Sequence, residues 1–239
     1  MDYFYCSPDK IVKDSALIDG EEFAHLVHVM RKKEGDEIRV VDGLGTAYDV
    51  RLADVKNKRA LGLITTTQQH HHEPSTAVTL AVAILKNPSK YDFLVEKVTE
   101  LGVREIVPLK TERTIPDHAK VDRWQKLALA AMKQTGRAYL PQVRELISLD
   151  GLLAAERPFD LKVIAHQEGK GLTRYEKTFL PRYKSTIVLI GPEGGFSDDE
   201  VRRCVAAGYI PVSLGERRLR TETAAIVMSA LAILSQIEP

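Results

Sequence analysis

Residues 185–229 read STIVLIGPEGGFSDDEVRRCVAAGYIPVSLGERRLRTETAAIVMS, from Ser185 to Ser229, and the rest of the chain can be ordered around them. Ile187-Val188-Leu189-Ile190 is a short β-branched run that stops at Gly191-Pro192, the mark of a buried strand ended by a turn. Gly194-Gly195 then permits a left-handed backbone or a close approach to something bound. Ser197 and Glu200 have capping-box spacing, and Asp198 and Asp199 lie where a helix N-terminus favours negative charge, so a helix is expected over 197–208, ending at Gly208. Residues 210–214 predict a second strand, closed by Gly215. Arg217, Arg218 and Arg220 follow, and Thr221-Glu222-Thr223 leads into residues 224–234, where Ser229 alone is polar. A helix so apolar all round must be buried against protein, in the core or in a subunit interface. It is far shorter than the roughly 20 residues that cross a bilayer.

Singly, each feature fits an ordinary strand-helix-strand-helix half of an α/β domain. Together they put close-approach glycines at two strand ends and an arginine cluster straight after the second. Ligands of open α/β sheets sit outside the carboxyl ends of strands. The run G-P-E-G-G lacks the Lys-Ser/Thr of a P-loop and is not G-x-G-x-x-G, which argues against a nucleotide triphosphatase and an ordinary dinucleotide fold.

IGPEGGFSDDE at 190–200 followed by LGERRLRTETA at 214–224 resembles the paired signature of the RsmE family, SPOUT-class methyltransferases that methylate N3 of a uridine in 16S ribosomal RNA of the small subunit. The resemblance implies an α/β fold in which a small N-terminal PUA-like β-barrel domain precedes a SPOUT domain with a C-terminal trefoil knot, a rare exception to unknotted topology. It implies S-adenosylmethionine as cofactor, wrapped by the turns at Gly191, at Gly215 and through Leu219 to Thr221. Ile190, Gly195, Leu214 and Arg220 complete the expected cofactor set. A homodimer acting on 16S ribosomal RNA or the small ribosomal subunit is implied as well.

Working outward, 239 residues that are 44% hydrophobic suit one large or two small domains with a sizeable core. The net charge of +1 means that RNA must be held by a local basic patch rather than by the overall field. Cys6 and Cys204 have neither metal nor disulfide spacing, and no signal peptide or long apolar stretch is evident. A cytoplasmic protein of a reducing compartment, with no metal and no membrane partner, is expected.

Residues 1–67 predict the β domain, with strands at 3–6, 38–41, 47–52 and 59–65 and a hairpin connection at Asp42-Gly43-Leu44-Gly45. Asp19 with Glu22 suggests the N-cap of a helix whose apolar face is Phe23, Leu26, Val27 and Met30. HLVHVMR at 25–31 resembles the family's H-L-x-x-V-L-R helix, with Met30 in place of the usual Leu. His25 and His28 lack a third ligand, so one is read as packed at the core edge and the other as solvated. Arg31, Lys32 and Lys33 form a basic helix end suited to phosphate.

Residues 68–76 contain Pro74 and three consecutive histidines without periodicity, and are expected to be a solvated linker. From 77 to 239 strands at 78–85, 105–109 and 161–165 alternate with helices at 89–101 and 121–135, which argues for a mostly parallel sheet covered on both faces. Lys86 with KVTELGV at 97–103 and ERT at 112–114 match further family blocks. Lys133 replaces an acid in a third block, AMKQTGR at 131–137, and Arg218 stands where an aliphatic residue is usual.

Methyl transfer from a sulfonium needs no metal and relies on positioning. N3 of uridine must lose its proton, and arginines near the base can stabilise the anion much as an oxyanion hole does. Arg220 is the expected catalytic residue, and Arg31, Arg113, Arg137 and Arg217 are the expected RNA-binding residues. A non-catalytic RNA-binding module and a SPOUT methyltransferase acting on another RNA, such as transfer RNA, remain alternatives.

Overall fold

The computed structural model of the chain describes residues 3–167, 173–174, 178 and 183–234. Two compact units emerge, one comprising residues 1–73 with 129–140, the other 74–128 with 141–239. The first unit is therefore not contiguous, unlike the division expected from sequence.

The first unit contains strands β1 (Tyr3–Tyr5), β2 (Ile11–Val12), β3 (Ser15–Asp19), β4 (Glu37–Val41), β5 (Thr46–Lys56) and β6 (Arg59–Gln69). They form one sheet in the order β1-β4-β5-β6-β3-β2. Helix α1 (Gly20–Ala24) continues into a single π turn over His25–Val29. Leu26 of that turn is fully buried among Phe4, Ile18, Ile38, Val40 and Leu52, with Phe23, Val27 and Met30 packed alongside. The predicted apolar face thus lines the core. His25 rests against the Phe4 ring at 5.7 Å and His28 is exposed.

The hairpin at 42–45 forms because the Asp42 carboxylate accepts the N–H groups of Leu44 at 2.7 Å and Thr46 at 3.0 Å. Asp19 precedes α1 but makes no capping hydrogen bond, because its carboxylate is taken by Lys10 at 2.6 Å. Strands β2 and β3 were not legible in the sequence, one of them being only two residues long.

The expected linker is partly ordered into this unit. β6 pairs with β5 as far as Gln69, and His71, far from solvated, is buried with a nitrogen 2.9 Å from the Tyr3 hydroxyl. Glu73 accepts the N–H groups of Ala138 at 3.0 Å and Tyr139 at 2.8 Å. Met132 and Ala138 pack with Val41 and Ala47, which is why residues 129–140 group with the β domain. The substituted Lys133 has a partner here, the carboxylate of Glu22.

The second unit holds β7 (Ala77–Ala83), α2 (Pro88–Leu101), β8 (Glu105–Lys110), the start of α3 (Val121–Thr135), β9 (Gln142–Val143), β10 (Ile147–Ser148), α4 (Leu149–Ala154) and β11 (Leu161–Ala165). It continues through β12 (Thr173–Arg174), β13 (Ser185–Ile190), α5 (Asp198–Ala206), β14 (Ile210–Ser213) and α6 (Thr221–Leu234). Its strands are ordered β10-β8-β7-β13-β11-β14-β12, with β9 also on β8, and every pairing is parallel.

Local signals explain most of these elements. Asn87 caps α2 by accepting the Ser89 N–H at 3.0 Å, and Gly102 ends that helix with φ +113°. Helix α6 starts at Thr221 rather than 224, since the Arg220 carbonyl already accepts the Ala224 N–H at 2.8 Å. Its face at Ala225, Met228, Ser229, Ala232 and Ile233 is buried, α2 being its main helical neighbour. No helix among the described residues is long and apolar enough to cross a membrane.

Candidate active site

Strands β13, β11 and β14 are adjacent and parallel, so their carboxyl ends open on the same edge of the sheet. Each end then departs into a turn. A cavity of about 690 Å³ lies there, within the range of small-molecule sites.

The first wall follows β13. Ile190 and Gly191 line the cavity, and the chain turns through Pro192 to Phe196 before α5. The Gly195 N–H donates to the Pro192 carbonyl at 2.9 Å, and Gly195 has φ +69°, which glycine adopts without strain. Gly191 is needed for a different reason: a Cβ there would lie 3.0 Å from the Phe196 nitrogen and 3.1 Å from the Gly195 carbonyl carbon. The space a side chain would fill at Gly191 is occupied by the protein's own loop, not reserved for a ligand.

Three long-range ties hold that loop. Ser197 and Glu200 make a complete capping box, and Glu200, 2% exposed, also accepts the Glu112 N–H at 2.8 Å. Arg113 Nη1 donates to the Gly194 carbonyl at 2.7 Å and to the Phe196 carbonyl at 3.5 Å. The turn after β8 is thereby tied to the glycine loop. Glu193 is anchored too, its carboxylate accepting the Lys86 N–H at 3.1 Å.

The second wall follows β14. Leu214, Gly215, Leu219, Arg220 and Thr221 all line the cavity. Gly215 has φ +107° and open space around its α-carbon, so its requirement is conformational. The Ser213 hydroxyl accepts the Gly215 N–H at 3.1 Å, fixing the turn. Arg217, Arg218 and Arg220 are exposed and sit at the mouth. Deeper in the wall lies Glu222, 8% exposed, paired through one oxygen with Lys90 at 3.2 Å. Its other oxygen is buried without a hydrogen-bond partner among the described residues, a state that ordinarily costs about 1–3 kcal/mol.

All eight residues expected at the cofactor therefore line one cavity, together with Arg113 and Arg217. Arg137 does not join them. It is 4% exposed and its guanidinium pairs with Glu73 at 2.7 Å, so its place is structural and the RNA-binding expectation for it is withdrawn. Arg31 belongs to the other unit, where it is exposed with φ +53°. Arg113 faces the cavity, but its guanidinium is engaged with the loop carbonyls. Lys90, His166, Gln167 and Glu222 also line the cavity and were not singled out. His166 and Gln167 follow the end of β11, a position that marks the same edge once the strand order is known.

Neither thiol belongs to this chemistry. Burial pushes the Cys204 thiol up to about 12 and Cys6 up to about 11, so both stay protonated and inert. Among the described residues no group of three or more His, Cys, Asp or Glu could hold a metal ion.

Comparison with known proteins agrees with this architecture. Residues 72–233 match the RNA methyltransferase domain family and residues 18–65 the RNA methyltransferase PUA domain. The chain is 32% identical over 230 residues to a ribosomal RNA small subunit methyltransferase E of Synechocystis sp., covering 94% of this chain and 74% of that one. It is 30% identical to the protein of that name from Bacillus subtilis, over 92% and 90% of the two chains. The crystal structure of the Neisseria gonorrhoeae ribosomal RNA small subunit methyltransferase E bound to S-adenosyl methionine superposes with a TM-score of 0.84 at 30% identity, covering 96% of this chain and 95% of the other.

Proposed function

The chain belongs to the ribosomal RNA small subunit methyltransferase E family, and from that membership we propose that it methylates N3 of a uridine in 16S ribosomal RNA with S-adenosylmethionine. The observation that carries this reading is the convergence of the Gly191 turn, the Gly215 turn and the 217–220 arginine cluster on one cavity.

The residues present fit that cofactor. Ile190, Val212 and Leu214 offer apolar wall, the two glycine turns expose backbone, and the unmatched oxygen of Glu222 waits for a hydrogen-bond donor. When bound, S-adenosylmethionine supplies an electrophilic methyl group on a positively charged sulfur. In this reading Arg220, exposed at the mouth beside the first turn of α6, stabilises the anion left when uridine N3 loses its proton. No ion pair joins Arg220 to Glu222 among the described residues, since Glu222 is held by Lys90. Arg217 and Arg218 extend the positive rim toward RNA phosphates, and Arg31 offers a separate contact from the PUA-like unit.

A homodimer is part of this reading. Outside its buried face, α6 leaves Ile226, Val227 and Leu231 half-buried and Leu234 57% exposed, an apolar surface suited to a second copy. The trefoil path implied by the family resemblance would run through the 191–221 turns.

The test is incubation of the purified protein with small ribosomal subunits, free 16S ribosomal RNA and transfer RNA in the presence of methyl-labelled S-adenosylmethionine, followed by nucleoside mass mapping. N3-methyluridine in 16S ribosomal RNA is expected. Label confined to transfer RNA, or none in any RNA despite cofactor binding, would overturn the substrate assignment.

A further inference from the structure

Acids and bases are unevenly distributed around the cavity. Lys90, Arg113, Arg217, Arg218 and Arg220 are its lysine and arginine lining, whereas Glu193, Asp198 and Glu222 are its carboxylates. Glu193 and Asp198 are exposed, and Glu193 is already bonded to the Lys86 backbone. Glu222 is the buried one, and among the described residues it alone of the three has a buried oxygen with no hydrogen-bond partner. An oxygen in that state is satisfied by an N–H or O–H donor, not by a sulfonium, which has no hydrogen to give.

We propose that Glu222 binds the α-ammonium group of the methionine portion of S-adenosylmethionine. The inference rests on the reading of this cavity as the cofactor site. The cofactor brings two positive centres into a cavity rimmed by arginines, which themselves suit its carboxylate and the RNA phosphates. A buried anion among those arginines suits the ammonium, offering both a charge and a free acceptor oxygen. Glu222 is set there, in the first turn of α6, and the broad terminal torsion of its side chain lets the unpaired oxygen turn toward the cavity while the helix stays still. Lys90 is the present partner of the other oxygen and so competes with the ligand for the carboxylate.

Calorimetric titration tests this with three probes: S-adenosylmethionine, S-adenosylhomocysteine, which keeps the ammonium but not the sulfonium charge, and 5′-methylthioadenosine, which lacks the amino-acid portion. Glu222→Gln is expected to weaken the first two by about ten- to a hundredfold, the range for a hydrogen bond to a charged group. It should leave methylthioadenosine within about twofold, which also reports that the variant is folded. Lys90→Met should tighten the first two probes and leave the third unchanged. Weakening of S-adenosylmethionine alone would assign Glu222 to the sulfonium, and equal weakening of all three would assign it to adenosine or to the fold. Either result, or no change, overturns the inference. Should Glu222→Gln fail to fold, unchanged or weaker S-adenosylmethionine binding by Lys90→Met overturns it. If the unmodified protein binds none of the three probes, the cofactor reading itself fails, a separate outcome.

Discussion

Arg113 reaches across from the turn after β8 to the glycine loop after β13, where its Nη1 donates to the Gly194 carbonyl at 2.7 Å. The partners are 81 residues apart in sequence, and a Cβ on Gly194 would sit 3.3 Å from the Arg113 side chain. The arginine supports the cavity wall from within the protein. Glu200 makes a parallel tie between Glu112 and Ser197.

Arg113→Ala should therefore loosen the glycine loop and weaken S-adenosylmethionine binding. Charge-assisted hydrogen bonds are worth about 1.5–3 kcal/mol when sheltered, and Arg113 is exposed, so a loss of roughly three- to tenfold is expected. Calorimetry gives the cofactor affinity and filter binding the salt dependence of RNA affinity. An unchanged cofactor affinity with a salt slope reduced by about 1 would instead make Arg113 a phosphate contact.

Gly191→Ala and Gly215→Ala should both impair the cofactor site, for separable reasons. At Gly191 the new methyl meets the backbone of Phe196, so the 191–196 loop must move, and both thermal stability and cofactor affinity should fall. At Gly215 there is room, and the penalty is the strain of an L-residue at φ +107°, about 1–3 kcal/mol. Scanning calorimetry with and without S-adenosylmethionine separates them. A Gly215→Ala protein with unchanged stability and affinity would refute the conformational account.

Arg220→Ala should keep the fold and lose far more turnover at saturating RNA than S-adenosylmethionine affinity. Removing one donor to a developing anion costs on the order of 3 kcal/mol, roughly a hundredfold in rate. Part of the loss should return at high pH, where N3 deprotonates without help. A defect confined to RNA affinity would make Arg220 a binding residue.

Glu105 supplies an acid-limb prediction. Its burial opposes ionisation, but hydrogen bonds from Arg157, Arg144 and Thr79 outweigh it and hold the carboxyl below its ordinary value. A depressed folded value contributes stability above the unfolded value of about 4.3, and that contribution is lost as pH falls through the folded value. Glu105→Gln should be less stable at neutral pH and show a shallower loss of stability below about pH 4. Parallel urea titrations at several pH values measure this; identical slopes for the two proteins would exclude the linkage.

Leu231→Asp should convert a dimer into a monomer if the exposed side of α6 is the contact between copies. Sedimentation velocity at micromolar concentration reads the change directly. A monomeric unmodified protein would remove the dimer from the proposal.

Much of the second unit was legible because its signals are local. Capping at Ser197, glycine punctuation at Gly102 and Gly208, and the β-branched run at 187–190 depend on a few neighbouring residues, and the structure keeps each of them. The eight residues expected at the cofactor, all of which line one cavity, could be singled out because two strand ends and two glycine turns lie within one continuous stretch. Short elements such as β2, β9 and β10 were missed, since two residues cannot display a period. Arg137 shows the limit most plainly: as a sequence it is one more exposed-looking cation, and only Glu73, 64 residues away, makes it a buried structural group. The ties from Arg113 to Gly194 and from Lys90 to Glu222 are of the same kind. Hydrogen bonds and ion pairs between distant residues leave no periodicity to read, so strand order and packing decided which charges line the cavity and which are buried in ion pairs.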